Sequence, residues 1–244
     1  MALPQHLLSQ LVRKGEAIPT VPGLALGLGA LDSVLPDGGL LTGGVVELSI
    51  ESGAALGTTL GLAACRAAQE GVKAKGGEAP WCAFVDPSEG PSLYAPGVVQ
   101  AGVELDRLLV VCPPLEALSR VAVRLVESRS FAVVVIDTLG APGRHANLSL
   151  AKWPRIVRRL ALAIEGTQRS VILITDGSIS RSLPLPVAQR IELTRPTEHE
   201  LSVRIAKDRH GRVASAKKIA WGQPLPKPLV KELRDSASLV ATRP

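Results

Sequence analysis

Aromatic side chains are scarce: two Phe, one Tyr and three Trp among 244 residues. With hydrophobic residues at 46% but aromatics at only 2%, the core has to be filled by Leu, Val, Ile and Ala. That composition favours helices packed on an aliphatic parallel sheet. Cysteine is scarce too. Cys65, Cys82 and Cys112 are widely spaced in apolar surroundings and form neither a CxxC pair nor a Cys/His ligand pattern. This argues against a disulfide framework and against a metal site, and predicts reduced, buried thiols in a cytoplasmic protein. His6, His145, His199 and His210 also lack paired ligand spacing. No stretch reaches the roughly 18 continuous apolar residues of a membrane span, and the start lacks a basic region followed by an apolar signal core.

What is present suits one sizeable α/β domain with short appendages. The formal charge of +6 is uneven: residues 201–244 hold ten Lys/Arg against three Asp/Glu, a net of +7 that leaves residues 1–200 near −1. Such a basic segment either meets an acidic surface or nucleic acid, or is simply solvated. The basic residues are not interleaved with aromatics of the kind that stack single-stranded bases.

Residues 1–18 read as an N-terminal amphipathic helix. Leu3, Leu7, Leu8, Leu11 and Val12 fall on one face, and His6, Gln10, Arg13 and Lys14 on the other. Pro19 and Pro22 separate it from the rest, so the apolar face either covers its own domain or docks on a partner. From residue 19 to 222 short apolar runs alternate with helical periodicity, the pattern of βαβ units on a parallel sheet. Strands are expected at 45–48, 81–85, 108–111, 131–136 and 171–174, with helices near 58–70, 91–101, 115–128 and 153–165. In the last helix Trp153, Ile156, Val157, Leu160 and Ile164 form one stripe and Arg155, Arg158 and Arg159 the opposite one. That arginine face is either solvated or a contact surface. Segments 189–194, 201–207 and 217–221, with turns at Pro196 and at His210-Gly211, predict an antiparallel C-terminal extension of the sheet. Residues 223–244 form a proline-rich basic tail.

The segment Ser52-Gly53-Ala54-Ala55-Leu56-Gly57-Thr58-Thr59 stands where a phosphate-binding loop, G-x-x-x-x-G-K-[ST], would follow the first strand. Gly57 and the Thr59 hydroxyl match, whereas Ser52 replaces the first glycine and Thr58 the lysine that reaches the β/γ oxygens. Ala54-Ala55-Leu56 adds apolar bulk where a tight phosphate nest is wanted. Downstream, Phe131 to Ile136 is a buried run that ends in Asp137, the form of a strand whose terminal carboxylate holds Mg²⁺ through water.

The order of these pieces resembles bacterial RecA over residues 20–221. Gly29-Ala30-Leu31-Asp32, Gly38-Gly39-Leu40 and Gly43 to Leu48 resemble its lead-in to the P-loop. Ala83-Phe84-Val85-Asp86, Leu93-Tyr94-Ala95 and Gly102-Val103 resemble its next strand and helix, Val135-Ile136-Asp137-Thr138 its Walker B strand, and Arg159-Leu160 through Asp176 the following helix and strand. The resemblance implies a RecA-like core, a mostly parallel sheet flanked by helices. It also marks departures: Glu89 is offset from the expected catalytic glutamate, with Ser88 nearer to that place, and Asp176 stands where the family has a γ-phosphate-sensing glutamine. Its two DNA-binding loops would follow Thr138 and Asp176, making Arg144 and Arg181 the candidate phosphate contacts.

With the lysine, the catalytic glutamate and the sensor all altered, electrostatic stabilisation of phosphoryl transfer is depleted; one lost donor costs on the order of 10²–10³ in rate. The nucleotide site is therefore expected to be degenerate, with no catalytic residues and no cofactor. Within the superfamily the chain most resembles the ImuA family of bacterial translesion mutagenesis cassettes. That resemblance implies a non-catalytic adaptor in damage-induced (SOS) DNA synthesis whose partners are RecA and an ImuB-type polymerase homologue, with an apolar arm at Leu3–Val12 as the docking element. The alternatives are a divergent ATPase or DNA-binding RecA paralogue, in which Lys207, Arg209, Lys217 or Lys218 replaces the lost cation, and an inhibitor of cell division in the same response.

Overall fold

The computed structural model describes residues 22–51, 54–87, 93–139, 153–178 and 185–222. The amphipathic stretch 3–14, Ser52, Gly53, Ser88, Glu89, Arg144, Arg181 and the proline-rich tail lie outside the described residues.

Among the described residues eight strands form a single sheet: β1 (Gly44–Glu51), β2 (Cys82–Val85), β3 (Leu108–Val111), β4 (Val133–Asp137), β5 (Ser170–Asp176), β6 (Gln189–Thr197), β7 (Glu200–Asp208) and β8 (Ala214–Ala220). Their spatial order is β3-β2-β4-β5-β1-β6-β7-β8. The pairings from β3 through β6 are all parallel, and β7 is antiparallel to both β6 and β8. The aliphatic runs give this result because strands covered on both faces cannot alternate with polar residues. Residues 44–50 of β1 are all buried.

Among the described residues α1 (Gly29–Asp32) precedes β1, and four α-helices lie between consecutive strands from β1 to β5: α2 (Ala54–Lys73), α3 (Ala95–Gln100), α4 (Leu118–Glu127) and α5 (Trp153–Ile164). The side chains of α2 and α3 share one core cluster with Leu48, Ile50, Phe84, Val135 and Ile174. Those of α4 and α5 share the other with Val45, Val85, Ile136 and Leu173. Because side chains alternate along a strand, these two clusters are the two faces of the sheet. On α5 the expected stripe faces the core: Trp153, Val157, Leu160 and Ile164 are buried.

The lead-in to β1 is tied down by Asp32, whose carboxylate accepts 2.9 Å bonds from the backbone N–H groups of Leu26 and Leu28. Arg66 of α2 donates to the Leu26 carbonyl at 2.6 Å.

Three expectations need correction. The first long helix starts at Ala54 rather than near 58, because Ala and Leu are strong helix formers and the chain coils as soon as it leaves β1. The β6–β7 turn falls at Glu198-His199, not at Pro196, which lies within β6. Proline is tolerated there because pairing of β6 with β1 stops at Thr194 and the β6–β7 register shifts between Thr194 and Thr197. Finally, Cys112 is exposed, whereas Cys65 and Cys82 are buried.

Candidate functional site

In open α/β sheets ligands sit beyond the carboxyl ends of the strands where the strand order reverses. Here that place is the end of β1, between β5 and β6, and residues 52–59, expected from the sequence to be a degenerate phosphate-binding loop, follow it directly. β1 ends at Glu51 and α2 begins at Ala54, so only residues 52 and 53 join them. A G-x-x-x-x-G loop needs its intervening residues free of the helix for their N–H groups to wrap a phosphate. Here 54–57 already belong to α2, and Leu56 is buried in the core.

Gly57 packs onto Ile50 and Ile174, and Gly61, one turn later, packs onto Val135 and Phe84. This i, i+4 pair brings the first turns of α2 close to the sheet, so the sequence has a packing reason for Gly57 apart from any phosphate. Thr58 and Thr59 lie in this part of the helix, both half-buried and both already engaged in contacts.

Three acidic residues mark the strand ends. Asp137 closes β4 and is buried, with its Oδ1 accepting a 2.8 Å bond from the Leu139 N–H. Asp86, equally buried, directly follows β2, and its N–H donates to the Val111 carbonyl of β3 at 3.0 Å. Asp176 ends β5 and accepts bonds from the Ser178 N–H and hydroxyl at 2.8 and 2.6 Å. By alternation from Phe84, Val135 and Ile174, all three lie on the α2 side of the sheet. Among the described residues no three His, Cys, Asp or Glu side chains come together as metal ligands. Gly177 donates to the Ile50 carbonyl at 2.8 Å, which ties the chain after Asp176 to the end of β1.

Thr59 also lines an open cleft of about 310 Å³ with Leu56, Arg195, His199 and Trp221. The Trp221 backbone N–H donates to the His199 carbonyl at 2.7 Å, and the Arg195 guanidinium donates to the Glu198 carbonyl at 2.9 Å. Sequence reading missed Arg195, His199 and Trp221 because only the β6–β7–β8 register brings them to α2. It proposed instead four cations that the fold distributes elsewhere. Lys207 reaches the Leu185 carbonyl and Arg209 the Gly43 carbonyl, each at 3.4 Å, at the opposite end of β1 from residues 52–59. Lys218 lies 4.0 Å from Glu200 across the β7–β8 pair, and Lys217 sits on β8 opposite Val203.

Behind the site, on the other face, Glu47 sits in the middle of the central strand. Its Oε1 accepts from the Thr175 hydroxyl at 2.9 Å and its Oε2 from Arg190 Nε at 2.7 Å. A buried charge is tolerated only with such partners.

No protein-family model and no curated protein matches this sequence. No helix among the described residues is long and apolar enough to cross a membrane.

Proposed function

We propose that this chain is a RecA-like scaffold that no longer turns over nucleotide and serves as an adaptor in damage-induced translesion synthesis, with RecA and an ImuB-type polymerase homologue as its partners. The observation that carries the non-catalytic part is the two-residue connection between β1 and α2, together with threonine in place of the lysine. A tetra-anionic ligand would meet neither a nest of loop N–H groups nor the ammonium that balances its terminal phosphates. Buried Asp137 at the end of β4 and the mixed eight-stranded sheet support descent from a nucleotide-binding core. The partner assignment rests on the resemblance of residues 20–221 to RecA and on the apolar arm Leu3, Leu7, Leu8, Leu11 and Val12.

The test is retention of the full chain on immobilised RecA. The adaptor reading expects retention that Leu7→Glu/Leu11→Glu weakens without lowering the melting temperature. No retention of the parent chain would overturn the RecA assignment, and undiminished retention of the variant would overturn the role of the arm.

One observation favours a second reading, in which nucleotide is held without the usual loop: Thr59 and Arg195 line the same cleft. In that case Arg195 replaces the missing lysine, and Arg195→Ala removes nucleotide binding that calorimetry detects in the parent chain.

A further inference from the structure

On the sheet face opposite α2, helices α4 and α5 pack side by side and leave an open groove of about 850 Å³ between them. Two arginines from each helix line it, Arg120 and Arg124 from α4 and Arg155 and Arg159 from α5. Each pair is spaced i, i+4, so the two arginine Cα atoms on each helix are about 6 Å apart along its axis. The groove also has an apolar component, buried Val123 and half-buried Ile156.

The groove contains one carboxylate of its own, Glu127. It takes Arg159 in a two-pronged contact, Nε to Oε1 at 2.6 Å and Nη2 to Oε2 at 3.0 Å. Arg120, Arg124 and Arg155 are exposed and have no ion-pair partner among the described residues. Three guanidinium groups in one groove repel one another unless an anion is shared between them.

We infer that the α4–α5 groove is a docking site for an acidic segment of a partner protein, one that lays carboxylates along the two arginine rows and an aliphatic side chain toward Val123 and Ile156. The guanidinium fork matches a carboxylate in the geometry Glu127 already displays on Arg159. Single-stranded nucleic acid fits less well. No aromatic side chain lines the groove for a base to stack on. The inference is independent of the adaptor reading above, since it uses neither the N-terminal arm nor the β1–α2 connection.

The experiment is fluorescence anisotropy on the full chain with three labelled probes: a peptide of Glu-Glu-Leu-Leu repeats, its Gln-Gln-Leu-Leu counterpart, and oligo-dT. The acidic peptide is expected to bind and the glutamine peptide not to. Arg124→Glu/Arg155→Glu should weaken binding by about tenfold or more. Glu127→Gln, which removes the competing carboxylate and frees Arg159, should tighten it several-fold, so the account does not hang on one variant's folding. Failure of the acidic peptide to bind, or binding that ignores both variants, overturns the inference. Capture of oligo-dT by these arginines in place of the peptide would assign nucleic acid to the groove and overturn it equally.

Discussion

A Cβ placed on Gly57 would lie 2.8 Å from Ile174 Cγ2 and 3.1 Å from Ile50 Cδ1. Contacts that short force the helix or the sheet to move, and overpacking of this kind costs about 1–3 kcal/mol. Replacing a helical glycine by alanine recovers at most about 1 kcal/mol of propensity. Gly57→Ala is therefore expected to lower the melting temperature by several degrees. Gly71, in the same helix, has nothing within 4 Å of its Cβ position. Gly71→Ala should stabilise by about 0.5–1 kcal/mol. Thermal or urea denaturation of the two variants checks the opposite signs; equal effects would contradict the packing role of Gly57.

The Glu47–Arg190 pair gives a second prediction. Both side chains are nearly sealed from solvent, at 5% and 10% exposure. Removing one partner of such a pair strands a buried charge and costs about 3–5 kcal/mol, whereas replacing both by apolar residues is far milder. Arg190→Met should accordingly lower the urea midpoint much more than Glu47→Leu/Arg190→Met does. A double variant as unstable as the sum of its single changes would show that the two residues are not energetically coupled.

Acid stability should depend on Asp208. Burial pushes its carboxyl up, but hydrogen bonds from Arg212 and the His210 N–H outweigh that and hold it below the usual 3.8. Arg212 also donates to Asp37 at 2.7 Å and so ties the β7–β8 turn to the lead-in. A folded-state value below the unfolded one means stability that is fully present above the unfolded value and is lost as pH falls through it toward the folded value. Denaturation midpoints measured from pH 6 downward, to below about 3.9, should fall less steeply for Asp208→Asn than for the parent chain. Identical slopes would contradict this role.

Thiol chemistry gives a fourth prediction. Cys65 is raised well above the ordinary thiol range by a hydrogen bond with Cys82 and by burial, which keeps it neutral and unreactive. Cys112 is exposed. A thiol reagent should therefore label one cysteine in the native protein and three after denaturation; labelling of Cys65 or Cys82 without unfolding would contradict the core packing.

The alternation of strands and helices was legible in the sequence because aliphatic runs such as Val133–Ile136 admit only a doubly covered strand, and the stripe from Trp153 to Ile164 only a helix packed on one face. The start of α2 was obscured by its likeness to a phosphate loop. Ala54, Ala55 and Leu56 are helix formers, and their local preference prevailed over the motif. The cleft beside Thr59 could not be read, because Arg195, His199 and Trp221 reach α2 only through the pairing of β6, β7 and β8. Likewise Arg155 and Arg159 were visible as a charged face, but Arg120 and Arg124 join them only once α4 packs beside α5.

The central claim is that the connection between β1 and α2 cannot hold a triphosphate for cleavage, and titration calorimetry of the full chain with ATP and Mg²⁺, followed by a phosphate-release assay, tests it most directly. The account predicts no phosphate release from the parent chain, and none from Thr58→Lys, since restoring the ammonium does not lengthen a two-residue connection. Micromolar binding with hydrolysis that Asp137→Ala abolishes would contradict it.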